Sequence, residues 1–95
     1  MSEDEFSEDE KIQRAILYFL HVRTCYGTGH WPIEALKHDI YVDGKNIHPK
    51  KLKKQLKILK EENCIAPYGK NDVYIDNVEI AHAKIQDMID NRKKI

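Results

Sequence analysis

Apolar residues recur at three- and four-residue steps through Ile12, Ala15, Ile16, Phe19 and Val22, and the pattern stops at Tyr26-Gly27-Thr28-Gly29. That period places them on one side of a helix. Ser7 and Glu10 form a capping box just ahead of the run, so a first helix is predicted from near Glu8 to around Cys25. Leu17 and Leu20 widen its apolar surface beyond one stripe, which makes this helix either central in the core or shared with a partner. Pro32 is read as the first residue of a short second helix, where its missing N–H costs nothing. The stretch 40–47 holds an Asp43-Gly44 hairpin-turn signal between β-branched and aromatic residues, but is expected to be a loop. Pro49 opens a third helix over 49–62, with Leu52, Leu56 and Leu59 on one face and a stop at Asn63.

Beyond it, 64–68 and 72–75 read as two short strands bracketing Gly69-Lys70-Asn71, a hairpin with a cationic tip. Pro67 requires a place where no ladder donor is needed. Asp76 or Asn77 caps a last helix whose stripe runs Val78, Ala81, Ile85, Met88, Arg92 and Ile95. With 95 residues the chain is the size of one domain. Its longest strongly apolar run, 15–20, is far below the roughly 18 residues of a membrane span. The start is acidic where a secretory signal is basic and then apolar, so a cytoplasmic protein is expected.

The formal net charge of zero joins two unlike parts. Residues 1–10 carry a net of −6 in a small tandem repeat, Ser2-Glu3-Asp4-Glu5 and Ser7-Glu8-Asp9-Glu10, and residues 11–95 carry +6. The expected division is a disordered acidic tail over 1–7 and a folded domain over 8–95. Within the basic part, 45–60 holds seven lysines and no acid. On a helical wheel Lys50, Lys54 and Lys57 lie roughly 140–200° from Leu52, so they oppose the core stripe. Such a face suits a polyanion, although a lysine-rich helix face also serves simply as a solvated surface. The acidic tail has three readings: a solubilising extension, a competitor for the lysine face, or a phosphorylation site at Ser2 and Ser7.

The order helix, helix, basic helix, hairpin, helix resembles the winged helix-turn-helix DNA-binding domains, an α+β fold. Residues 47–65 carry most of the likeness: Leu56, Leu59, Lys60-Glu61-Glu62, Asn63 and Cys64-Ile65, with Val73-Tyr74-Ile75 as the returning wing strand. Size and layout are similar to small regulators encoded by archaeal viruses and plasmids, which implies a host cytoplasm for such a viral protein. Asn63 stands where the family has glycine, and the link between the second and third helices is longer than a tight turn.

The resemblance implies a transcriptional regulator binding double-stranded DNA, with the third helix in the major groove and the wing on flanking backbone. The DNA-binding residues it implies are His48, Lys50, Lys51, Lys53, Lys54, Lys57 and Lys70. Gln55 falls toward the core side and is not among them. A homodimer is expected through Leu17 and Tyr18 of the first helix and Val78, Ala81, Ile85, Met88 and Ile89 of the last. The rival reading is a protein-interaction module docked in a larger complex without DNA.

No catalytic constellation is present in the sequence: no Gly-rich phosphate loop, no nucleophile beside a base, no carboxylate pair. The five histidines match no zinc spacing, so neither cofactor nor metal is expected. Cys25 and Cys64 read as buried thiols, with a disulfide the alternative if the first helix ends beside the wing.

Overall fold

Ser7 caps the first helix reciprocally: its hydroxyl accepts the Glu10 N–H at 3.2 Å, and the Glu10 carboxylate accepts the Ser7 N–H at 3.1 Å. The computed structural model describes residues 6–93, with side chains through 91. Along the chain it runs α1 (Glu8–Val22), β1 (Trp31–Pro32), α2 (Ile33–Asp39), β2 (Tyr41–Val42), β3 (Lys45–Asn46), α3 (Pro49–Glu61), β4 (Ile65–Tyr68), β5 (Asp72–Ile75) and α4 (Val78–Lys93). The fold is α+β, with helices packed against a small antiparallel sheet of order β1-β5-β4. Residues 1–5, the body of the expected acidic tail, lie outside the described residues. Phe6, which follows them, lies under the Arg14 guanidinium at 4.1 Å.

Both long helices that precede a strand end in the same way. At the end of α1, Thr24 turns left-handed at φ 55°, Cys25 N–H reaches Leu20 C=O at 2.9 Å, and Thr24 N–H reaches His21 C=O at 3.0 Å. After α3, Asn63 turns at φ 65°, Cys64 N–H reaches Leu59 C=O at 2.9 Å, and Asn63 N–H reaches Lys60 C=O at 3.1 Å. These are paired Schellman caps, and they put Cys25 and Cys64 at equivalent places, buried and free. Burial pushes both thiols up from their ordinary range, against a smaller downward pull from Arg23 on Cys25 and Lys84 on Cys64.

Cys25 C=O then accepts from Ile75 N–H at 2.8 Å, and Cys64 C=O from Asp76 N–H at 2.9 Å, so both caps tie directly to the end of β5. Gly29 closes the loop after α1: a Cβ there would lie 2.7 Å from the Thr24 carbonyl oxygen.

Four expectations need correction. The first helix ends at Val22, not near Cys25, because Thr24 takes the left-handed turn. Trp31 and Pro32 form an edge strand paired with Val73 and Asp72, so Pro32 is the residue before α2 and not its first. The stretch 40–47 is no loop: β2 and β3 pair Tyr41 with Asn46 and Val42 with Lys45 across Asp43 at φ 54° and Gly44 at φ 81°. That hairpin accounts for the long link between α2 and α3. The last helix is not one straight stripe either, because it bends at Ile85 (φ −126°, ψ 17°).

The bend has an identifiable cause. Arg14 Nη1 donates to Lys84 C=O at 2.7 Å, and both Nη atoms hold the Asp87 carboxylate, at 2.9 and 2.7 Å. A side chain inserted at that carbonyl interrupts the helical ladder.

Asn77 caps α4, its side-chain oxygen accepting from Ile80 N–H at 3.1 Å. Pro67 lies on β4, an outer strand of the sheet, where a missing N–H is tolerated. The core gathers Ile12, Ile16, Leu17 and Leu20 of α1, Leu36, Leu52, Leu56 and Leu59 of α2 and α3, Ile65, Val73 and Ile75 of the sheet, and Ala81 and Ile85 of α4. Among the described residues no helix is long and apolar enough to cross a membrane.

Candidate functional site

α3 is amphipathic in the simplest sense. Leu52, Leu56 and Leu59 are buried, and Lys50, Lys53, Lys54 and Lys57 on the other side are exposed. Those four lysines make no ion pair with any described residue, so their charge is fully available to a ligand. Lys70, exposed in the β4–β5 turn, is likewise unpaired among the described residues. Lys51 differs, because its Nζ sits 3.0 Å from each carboxylate oxygen of Glu8 on α1. It belongs to a cleft between α1, the β2–β3 hairpin and the start of α3, where Lys11 also pairs with Asp43 at 3.5 Å.

The free lysines border a groove of about 800 Å³ between α2 and α3. Ile33, Glu34 and Lys37 line one wall, and Lys50, Lys53, Lys54, Lys57 and Lys60 the other. Leu52 and Leu56 at its floor are only 1% and 3% exposed, so its apolar lining comes from Ile33, Pro49 and the lysine stems. An extended polyanion finds a cationic rim there. Glu34, the acid in the groove, is already engaged by Lys37 at 3.1 Å.

His48 precedes Pro49 and caps α3, its Nδ1 accepting the Lys50 N–H at 3.1 Å. That bond requires a bare Nδ1, so in the neutral ring the proton sits on Nε2 as a donor. Gln55 is wholly buried, its Oε1 accepting from Gln13 Nε2 at 2.8 Å, and its own Nε2 lacks a partner among the described residues.

Of the sequence-derived binding residues, α3 thus presents Lys50, Lys53, Lys54 and Lys57 together, His48 stands at their head, and Lys70 sits apart on the hairpin. Lys37 and Lys60 also line the groove, and reading α3 alone misses Lys37. The residues expected at a homodimer contact divide differently. Leu17, Ala81 and Ile85 are 0% exposed within the chain's own core and leave no surface for a second copy. Tyr18, Met88 and Ile89 are half-buried against that core, and Val78 is exposed.

Compared with known proteins, the chain matches no family model, no curated protein and no solved structure.

Proposed function

We propose that the chain is a small winged helix-turn-helix regulator that binds duplex DNA, with α3 in the major groove and the β4–β5 hairpin on flanking backbone. One observation carries this reading: four exposed lysines on α3 are free of acidic partners, while Lys51 and Lys37 nearby are already neutralised. Ordinary solubilising faces mix both signs. Here the outward face carries Lys50, Lys53, Lys54 and Lys57 over its first three turns, and its one acid, Glu61, stands at the last residue of the helix.

Lysine contacts supply affinity more than base choice. His48 Nε2–H, at the head of α3, meets the acceptors of a phosphate or a purine edge. The same domain pairs with a second copy through what its core leaves free: Tyr18, Val78, Met88 and Ile89. Such a pair presents two α3 helices to two half-sites.

Charge reversal tests the docking. Lys54→Glu is expected to weaken duplex binding at least tenfold more than Lys93→Glu, since both change the net charge equally and Lys54 lines the groove. Fluorescence anisotropy with a labelled duplex reads the difference. Equal losses would mean diffuse attraction and no docked helix.

A further inference from the structure

The last turn of α1, the loop after it and the first half of α4 bring three donor atoms to one point. Tyr26 Oη is in hydrogen-bond contact with His21 Nδ1 and lies 2.7 Å from His82 Nε2. The two imidazoles stand 5.1 Å apart at 87°, and the Tyr26 ring is edge-on to both, at 6.1 and 5.9 Å. All three residues are half-buried, with access to water. A phenol carries one proton, so it donates to one ring nitrogen and the other nitrogen has to donate to it.

We propose that this trio is a binding site for a divalent cation of the zinc class, with His21 Nδ1, His82 Nε2 and Tyr26 Oη as ligands. Both imidazole nitrogens converge on the phenol oxygen, and an ion about 2.1 Å from each takes a position close to that oxygen. The phenol oxygen retreats by about 1–2 Å to become its third ligand. Imidazole nitrogens suit zinc and copper, and a fourth position remains for water.

Linear spacing hides such a site, because the donors are separated by 5 and 56 residues and one is a tyrosine. Among the described residues no three His, Cys, Asp or Glu side chains converge in this way. A bound dication is the largest local charge at such a site and favours the phenolate. On binding, the Zn–O bond forms, the phenol O–H bond breaks and its proton leaves to solvent, and the imidazole whose ligating nitrogen carried a proton moves it to its other ring nitrogen, so both bind neutral. The ion ties α1, its loop and α4 together.

The full chain titrated with zinc chloride in a calorimeter tests this. The expected result is one ion per chain, with close to one proton released and a phenolate signature in the ultraviolet difference spectrum. His82→Gln keeps a hydrogen-bonding group for Tyr26 but removes the imidazole, and is expected to bind at least tenfold more weakly. Tyr26→Phe is expected to abolish the phenolate signature, and His38→Ala, on exposed α2 surface, to bind as the parent does. Failure of the unaltered chain to bind zinc, or parental affinity in a folded His82→Gln, would overturn the site and leave a hydrogen-bonded brace.

Discussion

Arg14 ties α1 to Phe6, ahead of its cap, and to α4. It lies over Phe6, donates to the Lys84 carbonyl and grips Asp87 with both terminal nitrogens. Hydrogen bonds from Arg14, its charge, and the backbone N–H groups of Asp87 and Met88 hold the Asp87 carboxyl below the ordinary range, against a smaller upward push from burial. A carboxyl depressed by folding contributes stability above its unfolded value of about 3.9, and the contribution is lost as pH falls through the lower folded value. Asp87→Asn is therefore expected to flatten the acid limb of a stability-versus-pH curve from urea unfolding. An acid limb identical to the parent's would show that the pair contributes nothing. At this scale the sequence was partly readable. The wheel turned Gln55 inward and the lysines outward, but it could not show that Gln13, 42 residues away, would meet Gln55, or that Glu8, 43 residues away, would take Lys51. Such pairings are set by tertiary packing, not by local period.

The two Schellman caps show what a single element's sequence tells and withholds. Asn63 tolerates the left-handed turn, and the stop after α3 is legible from it. Thr24 is β-branched and makes the same turn at φ 55°, so nothing in its residue type announces the end of α1. The left-handed region costs a non-glycine residue about 1–2 kcal/mol, partly offset in a glycine variant by the extra entropy of the unfolded chain. Thr24→Gly is expected to raise stability by about 0.5–1 kcal/mol, and Asn63→Gly by less. Denaturant midpoints decide it, and a destabilised Thr24→Gly would mean that the Thr24 hydroxyl bond to Arg23 C=O, 2.6 Å, outweighs the backbone strain. The β2–β3 hairpin was half legible. Asp43-Gly44 signals the turn, but two-residue strands carry too few side chains to show a period, and β1 is hidden for the same reason.

Across the whole molecule, the core settles which apolar residues of α4 are available. Ile85 is wholly buried at the bend, and an aspartate there places an unpaired charge in the interior, at a cost of about 4 kcal/mol or more against a typical total of 5–15. Ile85→Asp is expected to unfold the chain, whereas Val78→Asp, at an exposed position, is expected to leave it folded and to weaken self-association. Circular dichroism and sedimentation separate the two. A folded Ile85→Asp would contradict the core assignment, and an undiminished dimer in Val78→Asp would move the contact off this edge.

The functional account stands or falls on the free lysines, and the salt dependence of duplex binding reads them directly. Lys50, Lys53, Lys54, Lys57 and Lys70 are free of described acidic partners, and each phosphate they neutralise contributes about −0.9 to the slope of log affinity against log salt. Mixed-sequence duplex titrated from low to moderate salt is expected to give a slope of about −4 to −5 if each engages one phosphate. Absence of binding at low salt, or a slope near zero, would contradict DNA recognition through this face.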